Sequence, residues 1–513
     1  MNILLINSNV EIHPWPVIPL GLCHIASTLK ANGHRVKFVD LSFEPDIRSA
    51  LQSALGEFHA EAIGISIRNI DNANHLGPVF YLREIRAKVV TPCRELSRAP
   101  IILGGSAIGI APEQIMDYCG VDHAVAGEGE GVILDWLEAV QGRQESFAHI
   151  PGLFFRRSDG TVQKPSSMGH VSLNPYLHPR PYEWVDFKRY QKRGAFANIQ
   201  TKRGCIFECV YCSYNVIEGM HHRLRDPQDV ADEMEEWISA VGPGTFEFVD
   251  SVFNSPVDHA IDLCEAIIRR KLNAQLTTMG FNPGNPSDDL LKAMKAAGFR
   301  SVMCSPDVAS PAMIENLRKN FTIDDLAATM EGLRRFDLKT FWFFMLGGPG
   351  ETRETVRETL DFCERHAKPG DVFLFTIGFR VYPQTELARI YSRESSGMDG
   401  SNLLYPSFYC SPRISAHEIL KLVHERAARN VHFITMVDFV IYDFISKIFS
   451  TLMPSHPPKN EWAYIPGVNC RLHRFGLWNW LHKRYERKHL RDSARQSDWD
   501  YGGKGEPERS RNG

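Results

Sequence analysis

Residues 201–219 read TKRGCIFECVYCSYNVIEG and crowd three of the chain's 11 cysteines into one CxxxCxxC loop: Cys205, Cys209 and Cys212. Three thiols on one loop can bind a metal. A structural zinc site needs a fourth ligand, which His221 or His222 could supply. A [4Fe–4S] cluster on three cysteines keeps one iron open for a cofactor or substrate, whereas electron-transfer clusters use four. The spacing alone leaves both metals open.

The residues around this loop, 196–395, alternate apolar runs with helical patterns. Six strand–helix units are fewer than the eight of a full barrel, so we expect a partial barrel with its chemistry at the carboxyl ends of the strands. The predicted strands are Ala197–Thr201, Thr245–Val249, Gln275–Thr278, Ser301–Cys304, Thr340–Met345 and Val372–Phe379. The predicted helices are Val230–Ala240, Ala260–Arg270, Asp288–Ala297, Ala312–Leu317, Ile323–Phe336 and Arg353–His366.

Residues 1–140, upstream of the loop, show the same rhythm at shorter spacing. Short runs rich in Ile and Val, apolar on both faces, are typical of strands in a buried parallel sheet. They predict a doubly wound α/β domain, whose ligands would lie beyond the carboxyl ends of its strands. The predicted strands are Ile3–Ile6, Val36–Val39, Ile63–Ile67, Ile101–Leu103 and His123–Ala126, and the predicted helices are Pro19–Ala31, Ile47–His59 and Leu82–Ser97.

The remaining segments are less regular. Residues 141–195 predict a hairpin around Ser158-Asp159-Gly160 followed by a proline-rich linker. Residues 396–495 predict a helical and aromatic region that could form a lid over the substrate, and Phe433–Leu452 within it is aromatic and amphipathic. A basic stretch, 471–495, could touch an anionic lipid, although a solvated helix is the simpler interpretation. Residues 496–513 predict a disordered tail.

Composition excludes several classes of protein. The chain has 513 residues, which suggests about three domains, and 58 Lys+Arg against 61 Asp+Glu give a formal charge of −3. This balance does not favour a nucleic-acid binder. The odd cysteine count argues against a disulfide framework. Because we find neither a signal peptide nor a run of about 18 apolar residues, we expect a cytoplasmic protein without a transmembrane segment.

The motifs of the second domain resemble those of the radical S-adenosylmethionine (SAM) superfamily. CxxxCxxC with an aromatic residue before the last cysteine is followed, in the family's order, by FEFVDSVFN at 246–254, Ser305-Pro306-Asp307, GGPGET at 347–352 and GFRVYP at 378–383. The resemblance implies that the three cysteines hold an open [4Fe–4S] cluster. It also implies SAM-binding roles for Tyr211, Asp250, Asn254, Ser305, Asp307, Gly347, Gly348, Pro349, Arg380 and Tyr382.

The first domain resembles the cobalamin (B12)-binding domain of one subclass of these enzymes. Its segments PLGLCHIAS, SIR, IILGGS and VAGEGE follow or form successive strands. The resemblance implies cobalamin-binding roles for Ser8, Ser66, Gly104, Gly105, Ser106, Gly127 and Glu128. The DxHxxG motif for a lower axial histidine is absent, as in many members of this subclass, and a domain that no longer binds cobalamin is the alternative. Cys23, Cys93 and Cys119 invite comparison with the methylthiotransferases, but the NTxGC pattern is missing.

The resemblance implies an enzyme that methylates an unactivated carbon, or less commonly phosphorus, through a 5′-deoxyadenosyl radical and methylcobalamin. Other members of the subclass use the same cofactors for cyclisation or rearrangement, and no motif separates these outcomes. A zinc-stabilised binding protein without catalysis is the remaining alternative. The expected partners are a small-molecule or lipid-like substrate and an electron donor such as flavodoxin or ferredoxin.

Overall fold

A seven-stranded sheet forms the first domain of the computed structural model, which describes residues 1–13, 15–142, 147–284, 286–394, 403–435, 469 and 472. The strand order is β2-β1-β3-β4-β5-β6-β7, with β1 to β5 parallel and β6 and β7 added as an antiparallel hairpin. This is the doubly wound arrangement that the sequence predicts. The strands are β1 Asn2–Asn7, β2 Arg35–Asp40, β3 Ala62–Ser66, β4 Ile101–Gly104, β5 His123–Val125, β6 Leu153–Arg156 and β7 Val162–Gln163.

Helices cover both faces of this sheet because its strands are apolar on both faces. Alternate residues of β1 enter different cores: Leu4 and Ile6 pack into one, and Ile3 and Leu5 into the other. The helices of this domain are α1 Leu20–Ala31, α2 Ile47–Glu57, α3 Tyr81–Ile85, α4 Thr91–Leu96, α5 Ser106–Ile110, α6 Pro112–Cys119 and α7 Gly129–Val140. The single helix predicted over residues 82–97 is interrupted by a π-helical turn, Arg86–Val90, just before Pro92.

The second domain is a partial barrel of parallel strands, as predicted. Two sheets, β12-β11-β8 and β13-β14-β15-β18, meet where bridges join Leu276 to Phe299 and Phe281 to Cys304. The barrel strands are β8 Ala197–Ile199, β11 Thr245–Phe248, β12 Gln275–Thr278, β13 Ser301–Asp307, β14 Lys339–Leu346, β15 Asp371–Ile377 and β18 Phe433–Thr435. Short antiparallel pairs are formed by β9 Lys202–Arg203 with β10 Arg223–Leu224, and by β16 Phe379–Arg380 with β17 Phe408–Tyr409.

Amphipathic helices pack around the outside of the barrel. Trp342, Phe344 and Leu346 of β14 face these helices, whereas Phe341 and Phe343 pack with residues of neighbouring strands inside the barrel. The helices are α8 Phe187–Lys192, α9 Tyr214–Ile217, α10 Pro227–Val241, α11 Val257–Arg270, α12 Asp288–Ala297, α13 Pro311–Asn316, α14 Ile323–Arg335, α15 Arg353–His366, α16 Glu386–Glu394 and α17 Ala416–Ala427. Short 3₁₀ turns are Leu41–Phe43, Phe147–His149 and Pro181–Glu183.

Two features differ from the sequence prediction. Phe433, placed at the start of an aromatic helical segment, begins β18 instead, because the free edge of β15 offers it a parallel partner. The predicted hairpin at 158–160 forms, and it extends the first sheet rather than standing apart. Most of Phe433–Leu452 and the predicted tail lie outside the described residues. None of the helices in the described part of the chain combines the length and apolar character that crossing a membrane requires.

Candidate functional site

The cysteine loop leaves the barrel between β9 and α9, at the carboxyl end of β8. Gly204 has φ +89°, and a Cβ there would lie 2.0 Å from the carbonyl oxygen of His221. The amide of Cys205 then donates to Gly219 O at 3.1 Å, and the amide of Cys212 donates to Cys209 O at 3.1 Å. These contacts fold the loop back on itself.

The thiols are chemically suited to a multi-iron cluster. Burial raises the pKa of all three, to about 12 for Cys212, and the neighbouring thiolates raise the pKa values of Cys205 and Cys212 further. Such thiols need a bound cation to ionise. Within the described residues, no three His, Cys, Asp or Glu side chains are gathered as ligands of a single ion. Cubane ligands bind different irons and are therefore spread further apart.

The histidines that could complete a zinc site do not converge with the thiols. Both ring nitrogens of His222 are hydrogen-bonded: Nδ1 to the carbonyl oxygen of Gly204 at 3.0 Å, and Nε2 to the hydroxyl of Ser255 at 3.2 Å. His221 is exposed. Neither histidine is therefore in place as the fourth ligand that zinc requires.

A buried lysine that the sequence analysis missed lies against the loop. Lys319 Nζ is 2.6 Å from Asp307 Oδ2 and 3.2 Å from the hydroxyl of Tyr211, which itself donates to Asp307. Burial raises the pKa of Cys209, while the charge of Lys319 acts in the opposite direction and favours the thiolate. Only the fold reveals this lysine, because it stands 107 residues after Cys212 in the chain.

Two of the predicted SAM-binding residues after β11 are engaged by the protein itself. Asp250 accepts hydrogen bonds from the amide of Thr201 at 2.7 Å, from its hydroxyl at 2.6 Å and from the amide of Lys202 at 3.2 Å. Asn254 exchanges two hydrogen bonds of 2.8 Å with the backbone of Asn282. The contact of both residues with SAM stays a prediction.

The glycine-rich segment after β14 is closed by its own glutamate. The amides of Gly347 and Gly348 donate to Glu351 Oε2 at 2.9 and 3.3 Å. The carbonyl oxygen of Pro349 accepts from Asn316 at 3.1 Å. Burial raises the pKa of Glu351, while the two amides partly offset that rise. The amides of Gly347 and Gly348 are therefore already engaged within the protein.

The other predicted SAM-binding residues divide between open and buried positions. Ser305 is exposed at the carboxyl end of β13. Arg380 is buried and pairs with Asp71 of the first domain, with Nε 2.7 Å from Oδ2, and it also donates to Leu403 O at 3.0 Å. Tyr382 packs beside Arg380, with its ring centre 4.8 Å from the guanidinium carbon. Arg380 thus joins the two domains.

A cleft of about 350 Å³ runs between the carboxyl ends of the first domain's strands and the cysteine-bearing side of the barrel. The barrel contributes Gln200, Arg203, Ile217, Glu218 and Val249 to its lining. Small residues keep the opposite wall flat, and a Cβ on Gly105 would meet the carbonyl oxygen of Ile67 at 2.4 Å. Six of the seven predicted cobalamin-binding residues line this cleft: Ser66, Gly104, Gly105, Ser106, Gly127 and Glu128.

The seventh residue, Ser8, lies behind the wall, where its hydroxyl donates to the carbonyl oxygen of Ser66 at 2.7 Å. Ser106 donates to the carbonyl oxygen of Arg68 at 2.6 Å. A flat wall of glycine and serine, facing open space in front of Gly104, fits the edge of a planar corrin. The predicted ligand set therefore fits the cleft, although individual contacts stay predictions.

Two glutamates of the first domain form a buried ion-pair cluster with arginines on either side of the cysteine loop. Glu128 pairs with Arg203, at 3.2 Å, and with Arg223, while Glu130 pairs with Arg203 at 2.6 Å. Burial tends to raise the pKa of Glu128, but its two arginines hold it below the usual value. Because Arg203 stands two residues before Cys205, the cluster ties the position of the thiols to the first domain.

The interior of the barrel has one polar wall and one aromatic wall. On β8 and β11, Asn198 donates to Glu247 at 2.9 Å, one layer below the cleft residues Gln200 and Val249. Across the barrel, Trp15 of the first domain packs into a cluster made of Met303, Phe341, Phe343, Val372, Leu374 and Ile434. The barrel interior therefore contains both polar and apolar side chains.

Glu247 allows a prediction about pH. Burial raises its pKa to about 7, against the opposing effects of Asn198 and the charge of Arg68, and one of its oxygens has no hydrogen-bond partner. The bound proton therefore stabilises the fold fully below pH 4.5, and that stability is lost as pH rises through 7. At pH 8, we expect Glu247→Gln to unfold less readily than the wild type by up to about 3 kcal/mol, with little difference at pH 4.5.

Unfolding midpoints measured across this pH range would check the expectation. The exposed Glu331→Gln is the control and should show no such pH dependence. Equal behaviour of both variants at pH 8 would contradict the assigned burial cost.

Comparison with known proteins agrees with the two-domain organisation. The profile described as the radical SAM superfamily matches residues 199–363, and the profile described as the B12 binding domain matches residues 14–135. The chain is 26% identical over 458 residues to the tryptophan 2-C-methyltransferase of Streptomyces laurentii, covering 77% of this chain and 75% of that enzyme. It is 25% identical over 367 residues to the anaerobic magnesium-protoporphyrin IX monomethyl ester cyclase of Cereibacter sphaeroides, covering 67% of this chain and 56% of that protein.

A solved structure shares the fold. The radical S-adenosylmethionine methyltransferase TsrM from Kitasatospora setae, with cobalamin and a [4Fe–4S] cluster bound, superposes with a TM-score of 0.78. The superposition covers 93% of this chain and 99% of that chain, at 22% sequence identity. The likeness in fold extends across both domains.

Proposed function

Because the chain carries a B12-binding domain followed by a radical SAM domain, we propose that it is a cobalamin-dependent radical SAM methyltransferase acting on a carbon of a small molecule. The cofactors that these domains bind are a [4Fe–4S] cluster, SAM and cobalamin. One observation carries the proposal: a single cleft connects the flat glycine wall of the first domain with the barrel side that bears the cysteine loop. A corrin held there would face the barrel interior.

Different parts of the chain have different roles in such a reaction. When bound, the cluster and SAM supply a radical that removes hydrogen from an unactivated carbon, and cobalamin carries the methyl group. Cys205, Cys209 and Cys212 hold the cluster, and the wall around Gly104 and Gly105 receives the corrin. The barrel interior orients the substrate and excludes water, which a radical reaction requires.

The barrel interior also supports a substrate class. Phe343 and Met345 are only partly buried and face the interior from β14, and Met279 is 41% exposed at the carboxyl end of β12. Apolar groups left open inside a barrel are typical of a binding site for an apolar molecule. The substrate we propose has an aromatic or otherwise apolar body, and a low-potential donor such as flavodoxin or ferredoxin supplies electrons.

A substitution in the cleft separates cobalamin binding from cluster binding. No atom lies within 4 Å of a Cβ built on Gly104, so Gly104→Phe fills the cleft without a clash in the backbone. After anaerobic purification with cobalamin, we expect at least a tenfold lower corrin content and unchanged iron, measured by absorbance and by metal analysis. Gly56→Phe, on α2 with equally open surroundings, is the matched control and should keep its corrin.

The same preparations test the reaction itself. With SAM labelled in its methyl group and a panel of apolar substrates, methylated product should require both corrin and iron. Wild-type protein with four irons but no corrin would remove the methylcobalamin reaction and leave a radical SAM enzyme. SAM cleavage with a cyclised or rearranged product would favour the activity of the cyclase relatives instead.

A further inference from the structure

The segment after α13 brings a lysine to the cysteine loop. The amide of Val210 donates to the carbonyl oxygen of Leu317 at 3.2 Å, and two residues later Lys319 Nζ lies 3.2 Å from the hydroxyl of Tyr211. The side chain of Lys319 is only 5% exposed. This segment therefore contacts the loop at two consecutive residues, directly between Cys209 and Cys212.

Asp307 holds this lysine in place at a cost to the backbone. Its carboxylate is 2.6 Å from Lys319 Nζ, and its side chain is 2% exposed. Its φ is +67°, in the left-handed region, and the pairing of β13 with β14 shifts register between Cys304 and Asp307. A non-glycine residue is disfavoured in this region, because its Cβ crowds the following carbonyl oxygen. That conformation turns the carboxylate towards Lys319 and Tyr211.

We propose that Lys319, held by Asp307, is a positioning residue that sets the reduction potential of the cluster bound by the three cysteines. The inference rests on the proposed function. Reduction adds one electron to [4Fe–4S]²⁺ to give [4Fe–4S]⁺, with the electron coming from a low-potential one-electron donor. A buried ammonium stabilises the added negative charge and raises the potential, whereas the Asp307 carboxylate opposes it.

Two substitutions that remove opposite charges test this role. Lys319→Met removes the cation and should make the potential more negative, with at least tenfold less reduced cluster at a fixed potential, or about 59 mV for a one-electron couple. Asp307→Asn removes the anion, keeps a residue that tolerates positive φ, and should shift the potential in the opposite direction. The readout is electron paramagnetic resonance of holoenzyme poised anaerobically with dithionite.

A rescue variant and a control separate this effect from general damage. Lys319→Arg keeps the cation and should stay near the wild-type potential. Arg334→Met breaks an ion pair with the buried Asp371, at the opposite end of the barrel, and should lower stability without moving the potential. If Lys319→Met does not retain iron, the Lys319→Arg and Asp307→Asn measurements still decide the question.

The outcomes distinguish this inference from the proposed function. Shifts of opposite sign in the two charge-removing variants would support it, because misfolding cannot produce both. Unchanged potentials, or shifts of the same sign, in variants that keep full iron would overturn it while methyl transfer by the wild type remained. Wild-type protein that binds no four-iron cluster would refute the proposed function instead.

Discussion

Replacing Cys205, Cys209 and Cys212 together by alanine is expected to remove the iron completely, from about four atoms per chain to none, and to abolish SAM cleavage. The three thiols are the candidate ligands on the loop, and because burial raises their pKa values, a bound cation favours their ionised form. Iron and sulfide analysis after anaerobic purification measures the effect. Corrin content should persist, since the cleft wall lies in the first domain.

A matched control uses three cysteines of the same protein. Cys93, Cys119 and Cys264 are buried, lie in helices, and pack against apolar neighbours. Their joint replacement by alanine should lower stability but retain the iron. Zinc in place of iron in the wild type, or iron retained in the first triple variant, would overturn the assignment of the cluster.

Gly204→Ala is expected to deplete the cluster although all three cysteines remain. A Cβ at this position would lie 2.0 Å from the carbonyl oxygen of His221, and φ is +89°. Because the oxygen belongs to the backbone and the Cβ is fixed to the backbone of residue 204, the strand pair β9–β10 has to separate, which costs several kcal/mol. We expect iron content to fall at least fivefold and the unfolding midpoint to drop by several degrees.

Gly242→Ala provides a control at a glycine with the same φ. Its φ is also +89°, but no atom lies within 4 Å of the added Cβ. This variant bears only the cost of placing an alanine at this positive φ, about 1–3 kcal/mol, and should keep its iron. Equal iron loss in both variants would show that backbone strain, rather than the collision with His221, disturbs the loop.

The sequence predicts the fold well because its signals are local. The strands of both domains are short runs rich in Ile, Val and Phe, and the interval between them is long enough for a helix. Gln275–Thr278, Asp288–Ala297 and Arg353–His366 begin and end where the pattern places them. β18 was missed because its strand character depends on the free edge of β15, more than 50 residues earlier.

The contacts within the candidate site are harder to predict from sequence than the fold, because a motif specifies residue types but not their hydrogen-bond partners. Asp250 and Arg380 stand at the ends of strands, as family motifs do, yet in the fold Thr201 and Asp71 occupy their polar atoms. Lys319 belongs to none of the sequence motifs that indicated functional residues. Its role depends on a carboxylate 12 residues earlier and a tyrosine 108 residues earlier, which only the closed barrel brings together.

The packing of Trp15 against the barrel affects the order in which parts of the chain fold. This side chain lies in the loop after β1, but its packing partners extend from Met303 to Ile434, nearly 300 residues or more later in the chain. During synthesis the indole therefore stays without its final environment until nearly the whole barrel has been made. Long sequence separation of this kind slows folding. The loop that carries Trp15 should thus be the last part of the first domain to become protected from proteolysis and hydrogen exchange.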